Sequence, residues 1–148
     1  MNYRISKLRE YLLSVIDEMT QNRKYQINAN MLSNKVDDYS LDKIPTTPNV
    51  EGWIIGVNKK KDVFSLRSRK SYSQDAIDNL KNIGFFEEFE KKIKYNNKNG
   101  ILPNITNIES IECLNCGTML SNDDMNSAIF DIQIQITYID DDEEYISL

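Results

Sequence analysis

One stretch near the C-terminal end limits the folds open to this chain. From Ala128 to Tyr138, the residues Ala128, Phe130, Ile132, Ile134, Ile136 and Tyr138 alternate with Ile129, Asp131, Gln133, Gln135 and Thr137. Side chains on a strand point to opposite faces with a period of two, so the first set forms one apolar face and the second a mostly polar one. A long strand with one face on a core and the other partly wet belongs to an antiparallel sheet.

Helical periodicity supplies the layer that covers such a sheet. Ile5, Leu8, Leu12, Val15, Ile16 and Met19 recur every three or four residues, which predicts an amphipathic helix over residues 4–20. Its polar face mixes both signs of charge, unlike the Lys/Arg-rich face of a membrane-surface helix. Ser73-Gln74-Asp75 has the chemistry of a helix start. Ala76, Ile77 and Leu80 form a first apolar stripe, and Asn82-Ile83-Gly84 predicts an interruption. Phe85, Phe86, Phe89, Ile93 and Tyr95 mark a further helix, with Glu87–Lys91 and Glu88–Lys92 as i,i+4 pairs on its outer side. Asn99-Gly100 followed by Pro103 predicts its end.

Between these elements, Tyr25 and Ile27 suggest a short strand. Asp37-Asp38-Tyr39-Ser40 and Ile44-Pro45-Thr46-Thr47-Pro48 read as loop. Trp53 to Val57 and Val63 to Leu66 flank Asn58-Lys59-Lys60-Lys61-Asp62, the pattern of a β-hairpin with a basic tip and with Trp53 in the core. Residues 105–120 read as extended, with a bulge or kink at Gly117. The acidic run Asp140-Asp141-Asp142-Glu143-Glu144 lacks the spacing of a calcium loop and reads as a solvated tail. The expected architecture is one α+β domain over residues 1–148. It has an antiparallel sheet of about four strands, with the N-terminal helix and a central helical region packed on it.

The chemistry available is narrow. The 148 residues contain no histidine and two cysteines, and carry a net charge of −5. His-based nucleophile systems and His-ligated metals are therefore excluded. The negative balance weighs against binding nucleic acid or anionic lipid. Cys113-Leu114-Asn115-Cys116 is a CxxC, but a closed zinc site needs two more thiolate or imidazole ligands than the chain has. A redox CxxC sits at a strand-to-helix turn, whereas this one lies between strand-like segments. The two cysteines read as small hydrophobes in a sheet. No apolar run reaches the ~18 residues of a membrane span. No catalytic, cofactor-binding or metal residue is assigned.

Several motifs together resemble the tail terminator proteins of tailed bacteriophages of Gram-positive hosts, often described as minor capsid proteins. Asp37-Asp38-Tyr39-Ser40 with Ile44-Pro45 is similar to that family's DYSI…P loop. Gly52 to Gly56 followed by Phe64 resembles its hairpin. Arg67 to Tyr72, Asn79 to Asn82 and Phe85 to Phe89 resemble its central helical region, and Asn99 to Pro103 its G-x-LP turn. Ala128 to Gln133 with Tyr138 resembles its closing strand, although Phe130 stands where the family often has Tyr.

The resemblance implies a non-enzymatic virion protein that closes a hexameric ring on the head-proximal end of the tail tube. Its partners would be itself, the tail tube protein, the head–tail connector or neck protein, and the sheath protein if the tail is contractile. DNA would pass through the lumen as cargo, and no membrane would be involved. The ring would form in the host cytoplasm and remain at the tail–neck junction. Other head–tail connector proteins and the tube protein are the alternative reading; a small cytoplasmic regulatory module is a distant one. The candidate contact residues are Lys59, Lys60 and Lys61 at the expected hairpin tip, Asp131, Gln133 and Gln135 on the polar strand face, and Asp140, Asp141 and Asp142 in the tail. If the basic tip and acidic tail lay on opposite sides of the subunit, they would meet head-to-tail between neighbours.

Overall fold

The computed structural model describes residues 3–19, 27–29, 39–45, 49–52, 57–71, 76–115, 117–121 and 127–141. Two fifteen-residue strands, β4 (Val57–Ser71) and β7 (Ser127–Asp141), form its axis. They pair antiparallel without a break, from Val57↔Asp141 to Ser71↔Ser127. At the usual rise of ~3.3 Å per residue this ribbon is ~50 Å long.

Shorter strands line both edges of the ribbon. On the β4 side are β2 (Tyr39–Ile44) and β3 (Asn49–Gly52); on the β7 side are β5 (Ile108–Cys113) and β6 (Thr118–Ser121). All four run antiparallel to their ribbon partner. Beyond β2 lies β1 (Ile27–Ala29), the one parallel neighbour among the described strands. The helices among the described residues are α1 (Arg4–Met19) and α2 (Ala76–Lys98). The fold is thus α+β with an antiparallel sheet and two helices, as the periodicities predict.

Register decides which residues enter the core. Phe64 lies opposite Ile134, Leu66 opposite Ile132, and Leu41 opposite Leu66. These residues, with Ile111, Ile136 and Tyr39, are at most 1% exposed. They form one cluster with Leu8, Leu12 and Ile16 from α1 and Phe86, Phe89 and Ile93 from α2. The expected face of β7 is therefore the buried one, with Ile132, Ile134 and Ile136 in the same cluster as Leu12, Ile16 and Phe89. Burial of each such side chain contributes ~1.5–3 kcal/mol.

Four local expectations fail. Arg67 to Ser71, likened to part of a central helical region, is the end of strand β4, because these residues continue the ladder with β7. Residues 39–44 form strand β2 and not a loop: Tyr39 and Leu41 supply the buried side of a two-residue period that the polar Ser40 and Asp42 conceal. Lys59, Lys60 and Lys61 are not a hairpin tip. They lie inside β4, opposite Ile139, Tyr138 and Thr137, because pairing on both edges overrides the turn-like composition of Asn58 to Asp62. The hairpin into β4 comes from β3, and Trp53 lies outside the described residues. Finally, α2 runs unbroken through Asn82-Ile83-Gly84. Phe86, Phe89, Ile93 and Asn96 are buried at three- and four-residue spacing, whereas Tyr95, expected in the apolar stripe, is 59% exposed. Packing of that stripe outweighs the ~1 kcal/mol that a helical glycine costs relative to alanine.

The end of α2 is set by local chemistry. Gly100 has φ +71°, where a Cβ is strained. Ile101 N–H donates to the Asn96 carbonyl at 2.8 Å, and Gly100 N–H to the Asn97 carbonyl at 3.4 Å, the paired closure of a helix that stops in a left-handed residue. Gly117 serves packing: a Cβ there would collide with the Phe86 ring. The adjacent irregularity lies further on, between Met119 and Ser121.

Two substitutions test this assignment. Ile134→Asp places a charge in the core and should abolish soluble expression, while Gln133→Asp on the other face should change stability by only ~0.5 kcal/mol; equal melting temperatures would reverse the faces. Gly84→Ala should raise stability by about 0.5–1 kcal/mol in urea unfolding, since a Cβ at that helical position meets nothing within 4 Å.

Candidate functional site

The second face of the sheet is where the sequence places contact residues. On β7, Asp131 is 7% and Thr137 5% exposed, with Gln133 and Gln135 half-buried between them. Asp131 accepts a hydrogen bond from the Ser65 hydroxyl across the ribbon. Gln135 donates to Glu112 Oε1 of β5 at 2.6 Å. Arg67 of β4 lies 3.9 Å from Asp42 of β2. This face is a lattice of cross-strand polar pairs, of the kind that each contribute a few tenths of a kcal/mol and set strand register.

The charged clusters do not lie on opposite sides. Lys60 Nζ is 2.7 Å from Asp140 Oδ2 of the same subunit, and Lys59 Nζ is 3.0 Å from Glu109 Oε2. Asn58 pairs with Asp140 and Val57 with Asp141 in the β4–β7 ladder, so the basic and acidic runs are cross-strand neighbours. Part of the acidic run is therefore strand. Asp142 and the residues after it lie outside the described residues, as do Asp37, Asp38 and Cys116. Cys113 is half-buried against the core. Among the described residues, no group of three Cys, Asp or Glu side chains is placed to hold a metal ion, and no helix is long and apolar enough to cross a membrane.

A second constellation closes one end of the core. Asp62 is 2% exposed. Its Oδ2 accepts from Arg4 Nε at 3.1 Å and from the Tyr138 hydroxyl at 3.2 Å. Lys43 Nζ stands 3.8 Å from Oδ1. The Arg4 guanidinium also lies 4.5 Å from the centre of the Tyr138 ring. Tyr3, Ile5 and Phe64 complete a cleft of about 330 Å³ over this cluster.

Burial of the phenol, then the Asp62 carboxylate beside it, push the Tyr138 pKa up to about 12. The first turn of α1 is therefore joined to β4 and β7 by a charged, hydrogen-bonded contact. The sequence reading missed it by treating Asp62 as loop. The signal was parity: Phe64 and Leu66 are inward, so Asp62 two residues earlier is inward as well.

Lys70 marks the other end of the same face of β4. It is 6% exposed, donates to the Tyr39 hydroxyl at 2.7 Å, and its Nζ lies 3.8 Å from the Phe85 ring centre. Its stem packs among aromatic rings that attract its charge.

Because folding holds Tyr138 neutral, this group's stabilisation is complete below the ordinary tyrosine value of ~10. It is lost as pH rises through about 12. Asp62→Asn removes the neighbouring negative charge and should lower the Tyr138 pKa, as read by NMR titration of isotope-labelled tyrosine with Tyr138→Phe for assignment. An unchanged value would show that burial alone sets it.

No known family model matches this sequence, and none of the curated proteins compared with it matches either.

Proposed function

We propose that the protein is a phage tail terminator, a structural subunit that closes a ring on the head-proximal end of the tail tube and presents the neck-facing surface. The carrying observation is the succession of short motifs in family order: Asp37 to Ser40 with Ile44-Pro45, Gly52 to Gly56 with Phe64, Asn79 to Asn82 and Phe85 to Phe89, Asn99 to Pro103, and Ala128 to Gln133 with Tyr138; the further motif Arg67 to Tyr72, matched to the family's helical region, has Arg67 to Ser71 in strand β4 here. The α+β fold, one helix-covered sheet face and one face of mixed polarity support the reading.

The charge pairing within the subunit changes how such a ring would close. Lys60 and Asp140 neutralise each other inside one subunit. The head-to-tail contact would then draw on other groups, such as the half-buried Gln133 and Gln135 and the exposed Arg67. Exposed ion pairs contribute only ~0–1 kcal/mol, so apolar and backbone contacts would carry the affinity, with charge setting register.

Deletion of the gene from the phage should leave filled heads and separate tail tubes of irregular, extended length. Tubes of normal length joined to heads in the mutant lysate would exclude the terminator role. Normal-length tubes left unjoined would assign the protein to the connector.

A further inference from the structure

Two cations converge on one carboxylate at the Asp62 cleft. Lys43 lies opposite Phe64 in the β2–β4 ladder, so it shares the core-side face with Asp62. Arg4 meets Asp62 at Oδ2 from the first turn of α1, and Lys43 approaches the other oxygen, Oδ1. Lys60 and Asp140, further along the same face, pair with each other. The group therefore holds one positive charge in excess, within a chain whose net charge is −5. No acid stands in the first turn of α1, so the positive end of the helix dipole adds to that charge.

The donors of both cations are only partly used. Arg4 bonds Asp62 through Nε alone, at 3.1 Å. Its two Nη groups make no hydrogen bond among the described residues. The edge they form can grip a carboxylate through two parallel N–H···O bonds. The Tyr138 ring, centred 4.5 Å from the guanidinium carbon, restrains that edge. Lys43 Nζ, at 3.8 Å from Oδ1, is beyond hydrogen-bond length and has no other acceptor among the described residues. Both cations are open to a ligand: the Arg4 side chain is 44% and that of Lys43 54% exposed, with Asp62 buried beneath them.

We infer that this cleft binds a small organic monocarboxylate with an apolar body. The single excess charge matches a monoanion and leaves half of a phosphate dianion uncompensated. The ligand carboxylate accepts from the Nη edge of Arg4 and from Lys43 Nζ. Its body lies against Tyr3 and Ile5, with Phe64 behind them. A volume of about 330 Å³ is at the small end of ligand pockets and admits a ligand about the size of one ring and its acid group. The residues involved are separate from the polar sheet face, so this inference does not rest on the tail reading.

Titration of the full chain at low ionic strength, followed by NMR, tests this with benzoate as the probe. Benzoate should shift the Arg4 Nε–H and the Ile5 and Phe64 amides saturably. It should bind at least about tenfold more tightly than acetate, which lacks the body, or benzamide, which lacks the charge. Inorganic phosphate should bind more weakly than benzoate. Lys43→Gln removes a cation that makes no hydrogen bond in the free protein, so it should melt like the parent and bind benzoate about tenfold more weakly. Arg4→Lys keeps a positive charge for Asp62 but loses the planar fork, and should weaken benzoate by a similar factor. Three results would overturn the inference: no saturable shift at these residues, equal affinity for benzoate and for acetate or phosphate, or parent-like benzoate binding by folded Lys43→Gln.

Discussion

The β4–β7 ladder is the constraint on which the rest of the structure depends. Fifteen consecutive residue pairs fix two strands in one register. A slip of one residue would move Ile132, Ile134 and Ile136 from the core to the polar face and bring Asp131 inward. Every other strand described, apart from β1, takes its position from this ribbon, and both helices bury their apolar stripes on one side of it. The pairing joins residues some seventy positions apart, so it is also the most non-local feature of the fold, the kind whose loop-closure entropy is repaid late in folding.

The core side of β4 shows how the ribbon is bounded. Phe64 and Leu66 occupy its centre, with Asp62 toward one end and Lys70 toward the other. Each of these charged groups would be costly to bury alone. Asp62 is satisfied by Arg4 and Tyr138, and Lys70 by Tyr39 and the ring of Phe85. Buried ion pairs add little net stability, but removing one partner leaves an uncompensated charge at a cost of about 3–5 kcal/mol. These groups therefore act mainly on specificity. They fix where α1 begins on the sheet and how the aromatic cluster of Tyr39, Phe85, Phe86 and Phe130 is seated.

Edge management connects the fold to the assembly proposed for it. The ribbon has no open edge along most of its length, because β2 and β3 line one side and β5 and β6 the other. The outer edges pass to the flanking strands, and β5 meets its own with a bulge near Glu109, two engaged carboxylates and the Asn97 side chain. A subunit that must join copies of itself in one geometry has to refuse the others, and a sheet edge is the least selective surface a protein can offer.

The sequence by itself determined the elements with strong periodicity. Residues 128–138 alternate without a fault, and β7 follows. Leu8, Leu12, Val15 and Ile16 predict α1 to within a residue of its observed end, and Asn99-Gly100 marks the stop of α2, because these signals act over one or two turns of chain. Composition was a poorer guide where tertiary pairing competes with it. Asn58 to Asp62 has the makeup of a turn and Tyr39 to Ile44 that of a loop, yet both are strands, since a neighbouring strand supplies hydrogen bonds that local propensity cannot anticipate. Gly84 sits inside a helix because the aromatic stripe beyond it packs. The contacts of Lys60 with Asp140, Arg4 with Asp62 and Asn97 with Ile111 were decided only by tertiary structure. Each joins side chains whose meeting depends on strand register or on the place where a helix ends against a sheet, and neither is written in the spacing of residues along one segment.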